Sequence, residues 1–155
     1  MVFDKGFPRP GGFGKLVVAK LQPPDEQPDR DYPFILTTGR QLEHWHTGAM
    51  TRRATNLDAI EPGAVASLSR NDIARLGVQP GDLIRVSTRR GAVELSVRQD
   101  DAVPDGVVFI PFAFAEAAAN LLTNPALDPF GKIPEFKFCA AKVEAVPDAA
   151  RVAAE

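Results

Sequence analysis

Apolar and polar residues alternate along the chain in short blocks, most of them closed by glycine or proline. Pro33–Thr38 is an apolar run rich in strand formers and is stopped by Gly39; Ala64–Leu68 is a second run of the same kind. Leu83–Thr88 and Ala92–Arg98 carry the period-2 pattern of half-buried strands, and Arg89-Arg90-Gly91 between them reads as a hairpin turn. Pro104-Asp105-Gly106 leads into Val107–Pro111, a continuous apolar run suited to a buried strand. Lys137–Ala145 alternates again, and Lys15–Leu21 predicts one more short strand near the start.

Helical signals are fewer. Ser69 stands before Arg70-Asn71-Asp72, with Ile73, Ala74 and Leu76 behind them and Gly77 just beyond. That order predicts a helix of one to two turns, capped by Ser69 and ended by Gly77. Ala113–Leu122 is alanine-rich and stops before Thr123-Asn124-Pro125, which predicts a second helix. Asn124–Pro134 is a proline-punctuated loop, and the residues after Val146-Pro147 read as a frayed tail.

Periodicity alone therefore gives a mainly β chain with small helices and no repeats, which points to a barrel with crossovers. The order helix, Gly77, Pro80-Gly81-Asp82, strand, turn, strand resembles the half-motif of a double-psi β-barrel. The expected fold is a six-stranded double-psi β-barrel with a few short helices. Residues 1–31, rich in Pro and Gly, read as a loosely ordered connecting arm that ran over a larger body, though composition alone fits an ordinary flexible N-terminal tail equally well. Residues 32–146 read as the barrel and 147–155 as the tail.

Composition narrows the function more than the fold. A chain of 155 residues supports one domain with a sizeable core, and its net charge of −2 offers no basic field for nucleic acid. No apolar run reaches membrane-spanning length, so no membrane partner is expected. Cys139 is the single cysteine, which rules out an internal disulfide framework and a CxxC metal site; a reducing, cytoplasmic setting fits.

The chemistry concentrates in Thr37–Arg53, a segment that follows a strand and holds both histidines, the only tryptophan and three arginines. His44 and His46 point the same way if the backbone is extended, as two metal ligands would, but a third and fourth ligand are missing. A Ser-His-Asp arrangement lacks nucleophile-elbow glycines. A large anionic, heteroaromatic ligand is the third option: arginines and backbone N–H groups suit a pyrophosphate, while Thr, His and Trp bond or stack on flat polar rings. Taken singly, Trp45 also reads as a core aromatic and Arg52 with Arg53 as a solvated surface pair.

Thr38-Gly39-Arg40, Glu43-His44-Trp45-His46-Thr47-Gly48 and Met50-Thr51-Arg52-Arg53 resemble the C-terminal domain of formate dehydrogenases and periplasmic nitrate reductases. The resemblance continues through Gly81-Asp82, Pro111-Phe112, Asn120–Thr123, Leu127-Asp128-Pro129 and Pro134–Ala140. It covers about Tyr32 to Ala145, and the proline-rich start together with Asn56-Leu57-Asp58 favours formate dehydrogenase. A second kind of reading, a free-standing barrel serving as a protein-interaction module, rests on fold alone.

What the resemblance implies is a domain that clamps molybdopterin guanine dinucleotide, two of which hold one molybdenum or tungsten in the parent enzyme. Thr38–Thr47 matches the principal cofactor-contacting loop: Arg40 for anionic or oxygen-rich parts, Gly39 and Thr47 for hydrogen bonds, and His44, Trp45 and His46 along the pterin and dinucleotide arms. Phe112 matches an aromatic packed on the ligand, Asn120 an asparagine on the pterin or guanine edge, and Lys137 a lysine reaching back to the cofactor. By residue type alone, Phe112 also reads as core, Asn120 as a helix-ending cap and Lys137 as a surface charge. The family's metal-ligating cysteine or selenocysteine, its His-Arg partners and the iron–sulfur cluster lie upstream, and no segment here matches them. The parent would oxidise formate to carbon dioxide and pass electrons through iron–sulfur clusters to NAD or another acceptor. Its remaining domains and other subunits are the expected partners, and the chain alone is expected to catalyse nothing.

Overall fold

The structure is a computed structural model that describes residues 2–147. Six strands, β1 (Phe34–Gly39), β2 (Val65–Leu68), β3 (Leu83–Ser87), β4 (Ala92–Gln99), β5 (Val107–Pro111) and β6 (Cys139–Ala145), close into a barrel in the order β1-β5-β2-β4-β3-β6. β1 runs parallel to β5, with Thr38 opposite Ile110, and β2 runs parallel to β4, with Ala66 opposite Val97. Parallel neighbours cannot be joined by tight turns, so long crossovers connect them, as the double-psi class requires. β6 pairs with both β1 and β3, which closes the last gap and leaves no edge strand among the described residues.

Period-2 patterning selects the inward face. Leu36, Ile84, Val86, Leu95, Val97, Val108, Ile110 and Val143 are buried inside, while Arg85 and Glu94 between them face solvent. A barrel this small is filled by its own side chains, so it has no through-channel to serve as a site, and binding groups must come from its ends.

The local signals around the first predicted helix are met closely. α2 spans Arg70–Leu76; the Ser69 hydroxyl accepts the Asp72 N–H, and Gly77 ends the helix in the left-handed region at φ 70°. Buried Asp72 accepts a hydrogen bond from the Gly106 N–H at 2.7 Å and is paired with Arg75, which ties α2 to the turn before β5. The β3–β4 hairpin closes with the Thr88 N–H donating to the Gly91 carbonyl at 2.8 Å.

Three expectations are corrected. Lys15–Leu21 forms no strand: Leu16, Val18 and Leu21 are almost fully exposed, and strand propensity without a neighbour to pair with does not make a strand. Ala113–Leu122 is not one helix but two 3₁₀ turns, Ala115–Ala117 and Ala119–Leu121, separated by extended Ala118 (ψ 102°). The segment buries Ala113, Phe114 and Ala117 and also Ala119 and Leu122. At 100° per residue these two sets would fall on opposite faces of a single α-helix, so the break at Ala118 lets both reach the core. β6 starts at Cys139 rather than Lys137. A helix that sequence did not predict, α1 (Thr55–Ile60), follows a 3₁₀ turn at Thr51–Arg53; it has no side-chain cap and buries no residue fully. The predicted frayed tail lies, from residue 148 on, outside the described residues.

Candidate functional site

β1 and β5 end side by side, and the chain leaving each turns over the same end of the barrel. Between these exits and the Asn120–Lys137 segment lies a cleft of about 530 Å³, lined by Thr38, Arg40, His46, Thr47, Phe112, Asn120, Thr123, Pro134, Phe136 and Lys137. The lining carries two cations, Arg40 and Lys137, and no carboxylate.

Each position follows from local structure. Thr38 is buried and donates its hydroxyl proton to the Phe136 carbonyl at 2.8 Å. The Lys137 ammonium donates to the Thr38 carbonyl, so two bonds join β1 to the segment before β6. Gly39 is buried beside the Phe109 ring, which lies 2.4 Å from where a Cβ would stand, so no larger residue fits without displacing the ring. The Phe112 N–H bonds the Gly39 carbonyl at 3.1 Å and extends the β1–β5 pairing one step into the cleft. His46 adopts φ 53°, and its ring meets Phe112 at 5.3 Å between centroids. Gly48 has φ 76°, and a Cβ there would stand 2.5 Å from the Ala113 carbonyl oxygen. Only glycine lets the loop pack this tightly against the chain leaving β5.

Seven of the ten residues singled out in the sequence line this cleft, and Gly39, His44 and Trp45 do not. His44 is buried: its Nε2–H donates to the Glu61 carbonyl at 2.7 Å, and its Nδ1 accepts from the Thr51 hydroxyl at 3.3 Å. Thr51 Oγ1 in turn accepts the Trp45 N–H at 2.9 Å. Trp45 itself is 67 % exposed, so it is not a core residue. The left-handed turn at His46 explains why the two histidines diverge, since parallel side chains would require extended backbone between them. Among the described residues, no group of three His, Cys, Asp or Glu side chains is placed to hold a metal ion.

Arg52 is not a solvated surface charge. It bonds Asp58 at 2.6 Å, Glu116 at 2.8 Å and the Pro62 carbonyl at 3.2 Å, and its guanidinium lies 4.7 Å from the Phe114 ring centroid. The bonds to Asp58, and then to Glu116, hold its pKa above the ordinary value. Arg52 thereby joins the His44–Thr47 loop to the segment carrying Asn120. Arg53 is exposed, as a surface arginine would be. Nothing in the residue types of Thr123, Pro134 and Phe136 marks a site; Pro134 and Phe136 enter because the segment before β6 folds back onto β1, and Thr123 because it follows the Ala119–Leu121 turn that carries Asn120.

The sequence from residue 34 to residue 140 matches the family model described as Molydopterin dinucleotide binding domain. The chain belongs to that family. Among its relatives, the F420-dependent formate dehydrogenase 1 subunit alpha of Methanococcus maripaludis is 47% identical over 88% of the chain. The F420-dependent formate dehydrogenase subunit alpha of Methanocaldococcus jannaschii is 45% identical over 87% of it. The chain spans about a fifth of these relatives, 20% in each case. Acetylene hydratase from Pelobacter acetylenicus superposes with a TM-score of 0.67 at 24% identity, over 76% of this chain and 19% of that one, which speaks for the fold. This molybdopterin dinucleotide-binding domain therefore presents its cleft on a barrel shared with a much larger protein.

Proposed function

We propose that this domain holds molybdopterin guanine dinucleotide within a formate dehydrogenase-type catalytic subunit containing molybdenum or tungsten. The observation that carries the reading is the lining of the cleft: two cations without a carboxylate, hydroxyl and amide groups, and aromatic faces, converging from four separate stretches of chain. A volume of about 530 Å³ falls in the range of small-molecule sites and suits one arm of the cofactor. Arg40 and Lys137 are the groups for the pyrophosphate, and Thr38, Thr47 and the Gly39 backbone supply hydrogen bonds around it. Phe112 and His46 offer ring faces, and the Asn120 amide can satisfy a donor and an acceptor edge of the guanine or pterin. His44 acts behind them by fixing the loop, and Trp45 stands where a neighbouring part of the parent subunit can cover it.

When bound, the group supplies a metal centre for the two-electron oxidation of formate; this domain supplies orientation and seals the pocket. The metal ligand and the electron relay belong to the rest of the parent subunit, so the domain alone has no activity. Identities of 42–47% to formate dehydrogenase alpha subunits favour a formate-oxidising parent over a nitrate-reducing one. The buried free thiol of Cys139 is in keeping with a reducing, cytoplasmic setting.

The test is an NMR titration of the labelled protein with guanosine diphosphate, with adenosine diphosphate as control. Guanine-selective shifts are expected at Thr38, Arg40, Thr47, Asn120 and Lys137, and Lys137→Ala is expected to weaken binding about tenfold, the worth of one charge-assisted hydrogen bond. Equal shifts with both nucleotides, or shifts confined to other parts of the barrel, would overturn the assignment.

A further inference from the structure

We infer that Glu26, on the segment leading into the barrel, is a positioning residue for the cleft: through Arg90 it holds the wall that carries Asn120 and Thr123. The Glu26 side chain is only 14% exposed although the surrounding segment is rich in proline and polar residues. Its carboxylate accepts from Arg89 Nη1 at 2.9 Å, from Arg90 Nη1, and from the Ala140 N–H at 3.0 Å. Arg90 completes the link, since its Nε and Nη2 both donate to the Leu122 carbonyl, at 3.1 and 2.9 Å. Leu122 caps the 3₁₀ turn Ala119–Leu121, so this carbonyl lies between Asn120 and Thr123 in the chain.

A second contact reaches the opposite end of the same wall. The Asp25 N–H donates to Glu135 Oε2 at 3.2 Å, and the same oxygen accepts from the Asn124 amide at 3.0 Å. Glu135 stands between Pro134 and Phe136, both lining residues. Two adjacent positions of the leading segment thus reach both parts of one cleft wall, Asp25 directly through Glu135 and Glu26 through Arg90.

The guanidinium geometry makes this a specific link rather than a surface ion pair. Arg90 is 23% exposed, and its planar fork satisfies a carboxylate on one side and a carbonyl on the other. Removing the carboxylate leaves the guanidinium without its anion and frees the hairpin tip to move away from Leu122. Gly91 packs close to the same wall, with the Leu121 carbonyl 3.2 Å from a Cβ position, so a shift of the tip is felt there directly.

The inference concerns the cleft proposed as the cofactor site, and the experiment separates the two. Amide hydrogen exchange is measured on the free protein, wild type against Glu26→Gln and Arg90→Lys, the latter keeping the charge but losing the fork. Exchange at Leu121 and Leu122, whose amides bond Ala118 and Ala119, is expected to rise roughly tenfold in both variants, while Gly48 and Arg52, which follow the lining residues His46 and Thr47 in the chain and bond the Trp45 and Gly48 carbonyls, stay unchanged. Faster exchange confined to residues 25–31, or an equal rise throughout the barrel, would overturn the inference. Guanosine diphosphate affinity then falls about fivefold in both variants. Failure of the wild type to bind the nucleotide would count against the cofactor assignment and leave the exchange result to decide the positioning role of Glu26.

Discussion

His44 and His46 are two residues apart and yet occupy opposite kinds of environment. His44 has both ring nitrogens engaged, with Glu61 and Thr51, and its ring stands edge-on to Phe114 at 5.3 Å. Truncating it strands a part-buried carbonyl and a hydroxyl and leaves a hole, which together cost on the order of 3 kcal/mol. His46 is exposed beside Phe112 and makes no hydrogen bond that the fold depends on. His44→Ala is therefore expected to lower the melting temperature by several degrees, and His46→Ala to leave it unchanged while weakening guanosine diphosphate. Thermal melts of both variants check this pair, and an unchanged melt for His44→Ala would contradict the structural role given to it. Sequence alone could not separate the two, because residue type and spacing are the same whether a loop is extended or turns through a left-handed residue.

At the scale of elements, the Asp128–Ile133 turn shows how much one carboxylate can organise. Asp128 accepts the backbone N–H groups of Ile133 at 2.6 Å, Gly131 at 2.7 Å and Phe130 at 3.0 Å. These bonds, that of Ile133 foremost, hold its pKa below the ordinary carboxylate value of 3.8. A depressed folded value means that the contribution to stability is whole above 3.8 and is lost as pH falls through the folded pKa. The amide resonances of Ile133 and Gly131 are expected to stay constant from neutral pH down to about 4 and to move together below it. Movement centred above pH 5 would show that the carboxylate is not held as described. Elements with such local devices were the legible ones. Ser69 and Gly77 marked both ends of α2, and the β3–β4 turn marked the hairpin. α1 has no cap and no buried stripe, and Lys15–Leu21 has propensity without a partner, so neither could be judged from its own residues. The Ala113–Leu122 segment departs from the expected helix, which alanine favours locally, because the barrel requires its buried residues on two sides.

For the whole molecule, everything depends on closure. β6 pairs with β1 through Phe34–Ala141 and Leu36–Cys139, and with β3 through Ile84–Ala145 and Val86–Val143, so it is the seam at which the barrel opens or shuts. The cleft inherits that dependence, because Lys137 and Phe136 immediately precede the seam and are bonded to Thr38 on β1. Cys139, the first residue of β6, is fully buried, and burial raises its thiol pKa above the ordinary value. Its sulfur is covered by the Asn124 N–H at 3.2 Å, so a reagent reaches it either by lifting the Asn124 loop or by separating β6 from its neighbours. The two routes differ in how much surface they expose, and denaturant reports that difference. Reaction of Cys139 with a thiol reagent under native conditions is expected to be slowed by about a factor of 10³ or more relative to the unfolded chain. Its rate should also rise with denaturant along the full slope measured for global unfolding. A rate that is slow but insensitive to denaturant would assign the opening to the loop, making the Asn124–Phe138 wall of the cleft a unit that moves while the barrel stays closed.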